Sequence, residues 1–141
     1  MKIIYIKLFL RLSIALGFIS AVADRFGWWD EHISVWGNWQ NFVNYTQSLL
    51  PYLPDFSIPY IAGIATVLEL LFALLLLVGY QTQLIAKLSG ILLLIFALSM
   101  TFFYGIKGTL DYSVYIASAA AFSLSSMTQS FLEIDSLFTK D

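Results

Sequence analysis

Four stretches of this chain are each about as long as a bilayer's hydrocarbon core is thick, and little that is ionisable interrupts them. An α-helix rises about 1.5 Å per residue, so roughly 20 mostly apolar residues cross about 30 Å of hydrocarbon. Such runs cover about 8–25, with Arg11 near the start, and 58–78, ended by the turn Gly79-Tyr80-Gln81-Thr82. Two more cover about 84–104, closed by Gly105 and Gly108, and about 110–127. Pro51, Pro54 and Pro59 fall in or beside the segment between the first two runs, so proline breaks none of them. Only a short turn separates the second run from the third, which makes those two helices antiparallel neighbours. The expected fold is all-α: an integral membrane four-helix bundle within a single domain over 1–130, followed by a polar cytoplasmic tail over 131–141.

Composition agrees that the solvent is lipid. Of 141 residues 60% are hydrophobic and 11% charged, against roughly 25% charged in an average globular domain. The absence of Cys removes a disulfide, a thiol redox pair, a Cys-ligated zinc and an iron–sulfur cluster held by this chain alone. A single histidine, His32, removes bis-histidine haem ligation and a multi-histidine metal site, so neither a metal nor a cofactor is expected to be held by this chain unaided. His32 stands beside Asp30 and Glu31 and reads as solvated. A formal net charge of −2 leaves no basic stripe to track phosphates, and nucleic acid is not an expected partner.

Basic residues set the expected orientation. With both termini cytoplasmic, Lys2, Lys7, Arg11, Lys87 and Lys140 face inward and only Arg25 and Lys107 face outward, the asymmetry that membrane insertion favours. The expectation is therefore N-in, C-in, in the cytoplasmic (inner) membrane of a bacterium or archaeon. Ser13, Gly17 and Ala21 recur every four positions, a spacing that lets helix backbones approach closely in lipid. It suits a permanent helix better than the secretory signal suggested by Ala21-Val22-Ala23 before Asp24. Ser113, Ala117, Ala121 and Ser125 repeat the device in the fourth run, where helix packing is the expected use.

The connection between the first two runs contains all four Trp and all three Pro. Trp36, Trp39, Val43 and Leu50, with Phe42 and Leu49 beside them, fall near one face of a helix expected over 34–50. Asn38, Gln40, Asn41 and Asn44 lie toward the other face. Ser34 is the expected N-cap and Pro51 the expected stop. An amphipathic helix on the outer side, lying in the head-group layer with Trp28, Trp29, Trp36 and Trp39 as interface anchors, is one account. A lid over the outer mouth of the bundle is the other.

Between Ser57 and Gln83 the only carboxylate is Glu69, near the middle of its run. Placing an acid at that depth costs about 3 kcal/mol, so Glu69 must face the bundle interior, meet a cation or take up a proton. Lys87 and Lys107 lie at opposite ends of the third run. The first helix offers Arg11 and Arg25, about 9 and 12 Å from its centre near Gly17, each long enough to reach inward and each able to snorkel to its own interface. Which of them meets Glu69 stays open at this level. Glu69, Arg25, Arg11 and Asp24 are the candidate polar core, serving as a contact between helices, as a proton or ion relay, or as an orienting group for a buried ligand.

The same residues carry a resemblance. Leu10-Arg11-Leu12 leads to Gly17-Phe18; residues 21–27 read AVADRFG; Trp36-Gly37-Asn38-Trp39 follows; Thr66-Val67-Leu68-Glu69 runs on to Leu77-Val78-Gly79; and residues 90–100 read GILLLIFALSM. Over about 10–125 the chain resembles the DoxX/DoxD family of small four-helix membrane proteins. The resemblance implies that Glu69 and the Arg25 region occupy positions where the family places an acid and a base. It also implies a redox setting, since the family takes its name from a subunit associated with quinone-linked oxidation of reduced sulfur and other members are linked to redox or oxidative-stress complexes. The expected function is an accessory or structural subunit of a redox or quinone-linked membrane complex, not catalytic by itself, with membrane lipid and a redox protein as partners. A binding protein or transporter for a small lipophilic molecule such as quinone or lipid is the alternative, and a homo-oligomer is compatible with either.

Overall fold

The computed structural model describes residues 2–138; Lys140 and the end of the expected tail lie outside the described residues. The helices are α1 (Ile3–Arg25), α2 (Trp39–Leu49), α3 (Ile58–Val78), α4 (Thr82–Tyr104), α5 (Ile106–Asp111), α6 (Val114–Ser125) and α7 (Asp135–Phe138), with a short 3-10 turn, Asp55–Ser57, leading into α3. No strand occurs among the described residues. α1, α3 and α4 are each long and apolar enough to cross a membrane.

The fourth apolar run, expected as one helix over 110–127, is instead two. α5 ends at Asp111, and α6 starts after Ser113, whose left-handed φ of 58° no helix interior tolerates. With 12 residues, α6 spans about 18 Å, short of a hydrocarbon core. It packs along α4 with little separation: the Ser118 hydroxyl donates to the Gly90 carbonyl at 2.8 Å, and a Cβ on Gly90 would fall 2.9 Å from the Phe122 ring. Thr101 on α4 ties down the corner through Thr109 at 3.2 Å and the Tyr115 hydroxyl at 2.9 Å.

The small-residue spacings mark the contacts within this chain only in part. On α1, Ser13 and Gly17 are exposed; at α6, Ser113 is exposed before the helix starts and Ala117 and Ser125 are half-buried, while Ala121 of the same spacing is in the core and Ser118 and Leu124 are buried beside it. The buried face of α1 is Lys7, Arg11, Ile14, Ala15, Phe18, Val22 and Arg25, with Asp24 beside it. All three basic residues after Lys2 share that stripe, because in hydrocarbon the inside of the protein is the one place where such groups find partners. The main core joins Ile14, Ala15 and Phe18 to Phe72, Ala73, Leu76, Ile85, Ala86, Ala121 and Leu124.

α1 and α3 run antiparallel in a register that shapes the rest. Arg11 reaches the Leu76 carbonyl and Arg25 reaches Thr66. Thr66 lies eight residues into α3, so α3 continues about 12 Å past the point where α1 stops. α2 and the loop before it fill that step, burying Phe42 and Val43 against Ile58 and Ala62. α2 begins at Trp39, five residues later than expected, with Asn38 rather than Ser34 as N-cap: the Asn38 side chain accepts from the Asn41 N–H at 2.8 Å. Residues 35–37 are held elsewhere, by the Asp24 carboxylate. The helix ends ahead of Pro51, as its sequence indicates.

Candidate functional site

Glu69 points into the bundle and is 1% exposed; its partner is Arg25, 3% exposed. Arg25 Nη2 donates to both Glu69 carboxylate oxygens at 2.8 Å, and Nη1 donates to Thr66 Oγ1 at 2.8 Å. The Thr66 hydroxyl in turn donates to the Ala62 carbonyl at 2.8 Å. Aromatic faces close the other side: the guanidinium carbon stands 3.8 Å from the Phe42 ring centroid and 5.3 Å from that of Trp36. A cation between rings in a water-poor site is favoured by the ring quadrupoles.

Arg25 stays inside because the chain turns sharply beyond it. At the end of α1 the Gly27 N–H donates to the Asp24 carbonyl and the Trp28 N–H to the Ala23 carbonyl, each at 3.0 Å, the paired bonds of a Schellman turn. Gly27 takes φ 71°, and a Cβ there would lie 2.9 Å from the Gly37 carbonyl oxygen, so the two loop strands could not cross. Asp24, beside Arg25 in the chain, is bonded elsewhere. Its carboxylate accepts backbone N–H groups from Val35 at 2.7 Å, Trp36 at 2.9 Å and Gly37 at 2.8 Å. Those bonds keep residues 35–37 out of α2 and set Trp36 over Arg25. Asp24 therefore fixes the loop that carries Trp36 rather than joining the acid–base pair.

The four tryptophans separate into distinct environments. Trp36 packs edge-on to Phe42 with ring centroids 5.0 Å apart, and Trp39 stacks on Phe26 at 6.0 Å. Trp28 is 79% exposed, and Trp29 is exposed with its indole N–H donating to the Ser20 carbonyl at 3.1 Å. Trp36 covers the pair, whereas Trp28 and Trp29 face outward. An open-sided groove of about 330 Å³ lies beside the pair, lined by Phe26, Trp39, Gly63, Thr66 and Val67. Near it, two buried donors, Arg25 Nε and Trp36 Nε1, have no hydrogen-bond partner.

Arg11 does not meet Glu69. It sits at the other end of α1, where its guanidinium donates to the carbonyls of Leu76, Leu77, Phe131 and Leu132 at 3.0–3.1 Å and lies 3.6 Å from Glu133. Lys7 pairs with Glu133 at 2.8 Å and donates to the Gln129 carbonyl at 2.8 Å. The physical reason is register: Arg11 lies level with the frayed carbonyls at the end of α3, which attract a cation. Sequence reasoning missed Lys7, Glu133, Thr66 and Phe42. The spacing of Lys7, Arg11, Phe18 and Arg25 on one helical stripe was the available signal, as was Thr66 standing one turn before Glu69.

The carboxylate of Glu69 is engaged at both oxygens by one guanidinium, which joins α1 to α3 and serves poorly as a station for passing protons. His32 is exposed, and no group of three or more His, Asp or Glu among the described residues is placed to hold a metal. Comparison with protein-family models, curated proteins and solved structures finds no match to this chain.

Proposed function

We propose that the chain is a four-span protein of the cytoplasmic membrane of a bacterium or archaeon, N-in and C-in, and acts as a non-catalytic accessory subunit of a redox or quinone-linked complex, in line with its resemblance to the DoxX/DoxD family. The supporting observation is how its buried charges are engaged: Arg25 by Glu69 and Thr66, Asp24 by the backbone of residues 35–37, Lys7 and Arg11 by Glu133 and five carbonyls. Groups used in this way hold an architecture together. With no Cys and one exposed His, the redox chemistry falls to a partner. Solubilising native membranes in mild detergent and isolating the chain is expected to bring down a protein carrying flavin, haem or a reactive thiol. Isolation as a homogeneous homo-oligomer with no such partner would overturn the reading.

The groove beside Thr66 favours a second reading, a binding protein for a small lipophilic molecule such as quinone or lipid. An apolar slot with aromatic walls and a few nearby donors is the usual form of such a site. Mass spectrometry of lipid extracts should then find a quinone or lipid retained by wild type and lost from Gly63→Phe, which fills the slot.

A further inference from the structure

The end of the bundle away from Arg25 is closed by the segment that follows α6. Lys7 and Arg25 lie eighteen residues apart on α1, about 27 Å along the helix. Beyond α6 the chain folds back over the helix ends as a strap: the Ile134 N–H donates to the Val78 carbonyl at 3.1 Å, the Asp135 N–H to the Gly79 carbonyl at 3.2 Å, and Glu133 is buried against Lys7 and Arg11. The strap runs into the single turn of α7, Asp135–Phe138. We propose that its outer side is an interfacial anchor, lying in the head-group layer of the leaflet at this end with its apolar side chains among the first carbons of the acyl chains.

The strap is arranged in the inverse of the way water selects. Its charged groups turn inward: Glu133 meets Lys7 at 2.8 Å and Arg11 at 3.6 Å, and the Asp135 carboxylate accepts the N–H groups of Gln81 and Thr82 at 2.9 and 3.2 Å. Its large apolar groups turn outward, with Leu132 and Leu137 each 69% exposed and Phe138 75%. In water, burying charge while exposing large apolar side chains loses on both counts. At a bilayer interface the same arrangement is favourable, because the outward groups enter hydrocarbon. The backbone enforces it. The successive carbonyls of Phe131 and Leu132 both accept from Arg11 Nη1 at 3.0 Å, and turning them toward one nitrogen puts Leu132 at φ 50°. That left-handed conformation is unfavourable for a residue with a Cβ, and here it accompanies an exposed side chain rather than a packed one.

Position identifies the occupant as lipid. α1 carries an exposed stripe of Tyr5, Phe9 and Leu12, and α3 one of Leu71, Leu74 and Val78, both at helical spacing on helices long enough to cross a bilayer. The strap is joined to the end of each. The Phe131 ring packs edge-on to Tyr5 with centroids 5.6 Å apart, and the Ile134 N–H is bonded to Val78. The outward residues of the strap therefore extend two surfaces that acyl chains cover, at the depth where those helices end. The anchor rests on α1 and α3 crossing a bilayer and does not depend on the redox reading.

The test uses the full chain in nanodiscs of phosphatidylcholine and phosphatidylglycerol, where both membrane faces are open. With no native Cys, nitroxides on Leu132→Cys and Leu137→Cys report their own surroundings through collision with oxygen, which concentrates in lipid, and with a neutral nickel chelate, which stays in water. Leu16→Cys, on the exposed face of α1, and Glu31→Cys, in the exposed loop beyond it, give the lipid and water references. Both strap labels are expected to shift toward Leu16→Cys. Because a nitroxide is itself apolar, unlabelled protein supplies a second measurement: cutting at the buried Glu133 by a glutamate-specific protease, which needs the strap to lift. Leu132→Ser/Leu137→Ser is expected to speed that cut about tenfold. Strap labels that behave like Glu31→Cys while Leu16→Cys stays in lipid overturn the anchor alone; Leu16→Cys in water overturns the crossing as well. Labels shielded from both reagents put protein rather than lipid over the strap and overturn the assignment, as does equal cleavage of variant and wild type.

Discussion

At Glu69 and Arg25 the energetics are asymmetric. A matched buried pair adds little over apolar residues of the same shape, but one partner left alone in a water-poor interior is costly. Glu69→Ala and Arg25→Met are each expected to destabilise the folded protein by about 3 kcal/mol or more, read from denaturant titration in detergent micelles. Glu69→Gln should lose less, since its amide oxygen still accepts from Arg25, and the double variant Arg25→Met/Glu69→Leu should recover much of the loss. Single variants as stable as wild type would remove the pair from any structural role. Tyr45 gives a separate residue-scale expectation. Burial, then Tyr104 and Tyr112, push its phenol up from the usual 10.0 to about 12. The unfolded chain therefore releases this proton first, and stability should fall as pH rises from about 10 toward 12. Tyr45→Phe is expected to flatten that part of a stability–pH profile.

Single backbone positions decide how the elements join. Gly79, at the end of α3, takes φ 72°, and a Cβ on it would lie 2.7 Å from both Arg11 Nη2 and the Glu133 Cα. Gly79→Ala is expected to cost about 1–2 kcal/mol through conformation alone, and more through displacement of the strap. Limited proteolysis should then cut after α6 faster than in wild type. Gly17→Ala is the control, because a Cβ there meets nothing within 4 Å. A distant side chain sets where α2 begins. Ser34 is a good N-cap by type, and Trp36 fits the apolar face, yet the Asp24 carboxylate takes the N–H groups of residues 35–37 first. Nothing local to that segment announces a competitor eleven residues upstream. The break at Ser113 was equally hidden, since neither proline nor a glycine pair marks it.

For the molecule as a whole, three membrane-length helices and a bent fourth segment leave orientation as the main topological question. The chain contains no Cys, so single cysteines report cleanly. Under the N-in, C-in proposal, Glu31→Cys is expected to react with an impermeant maleimide on intact cells, and Ser126→Cys only after permeabilisation. The reverse pattern would invert the topology, and labelling of both from outside would remove the fourth crossing. Inversion leaves the Arg25–Glu69 contact in place and exchanges the leaflets in which the Arg25 and Lys7 ends lie.

What could be read from the sequence was whatever depends on one segment and its solvent: that three of the four runs are long and apolar enough to reach across hydrocarbon, that Glu69 cannot stand unpaired at that depth, and that a tryptophan-rich segment belongs at one end. Each is a desolvation argument, and desolvation follows from a residue's own chemistry and the run around it. Partner choice was different in kind. Arg11 and Arg25 each have the reach to turn inward, and only the offset between α1 and α3 placed Arg25 under Trp36 and Phe42 and Arg11 among the carbonyls ending α3. That offset comes from packing between helices far apart in the chain, with α2 filling the step it creates, so it became visible only in three dimensions.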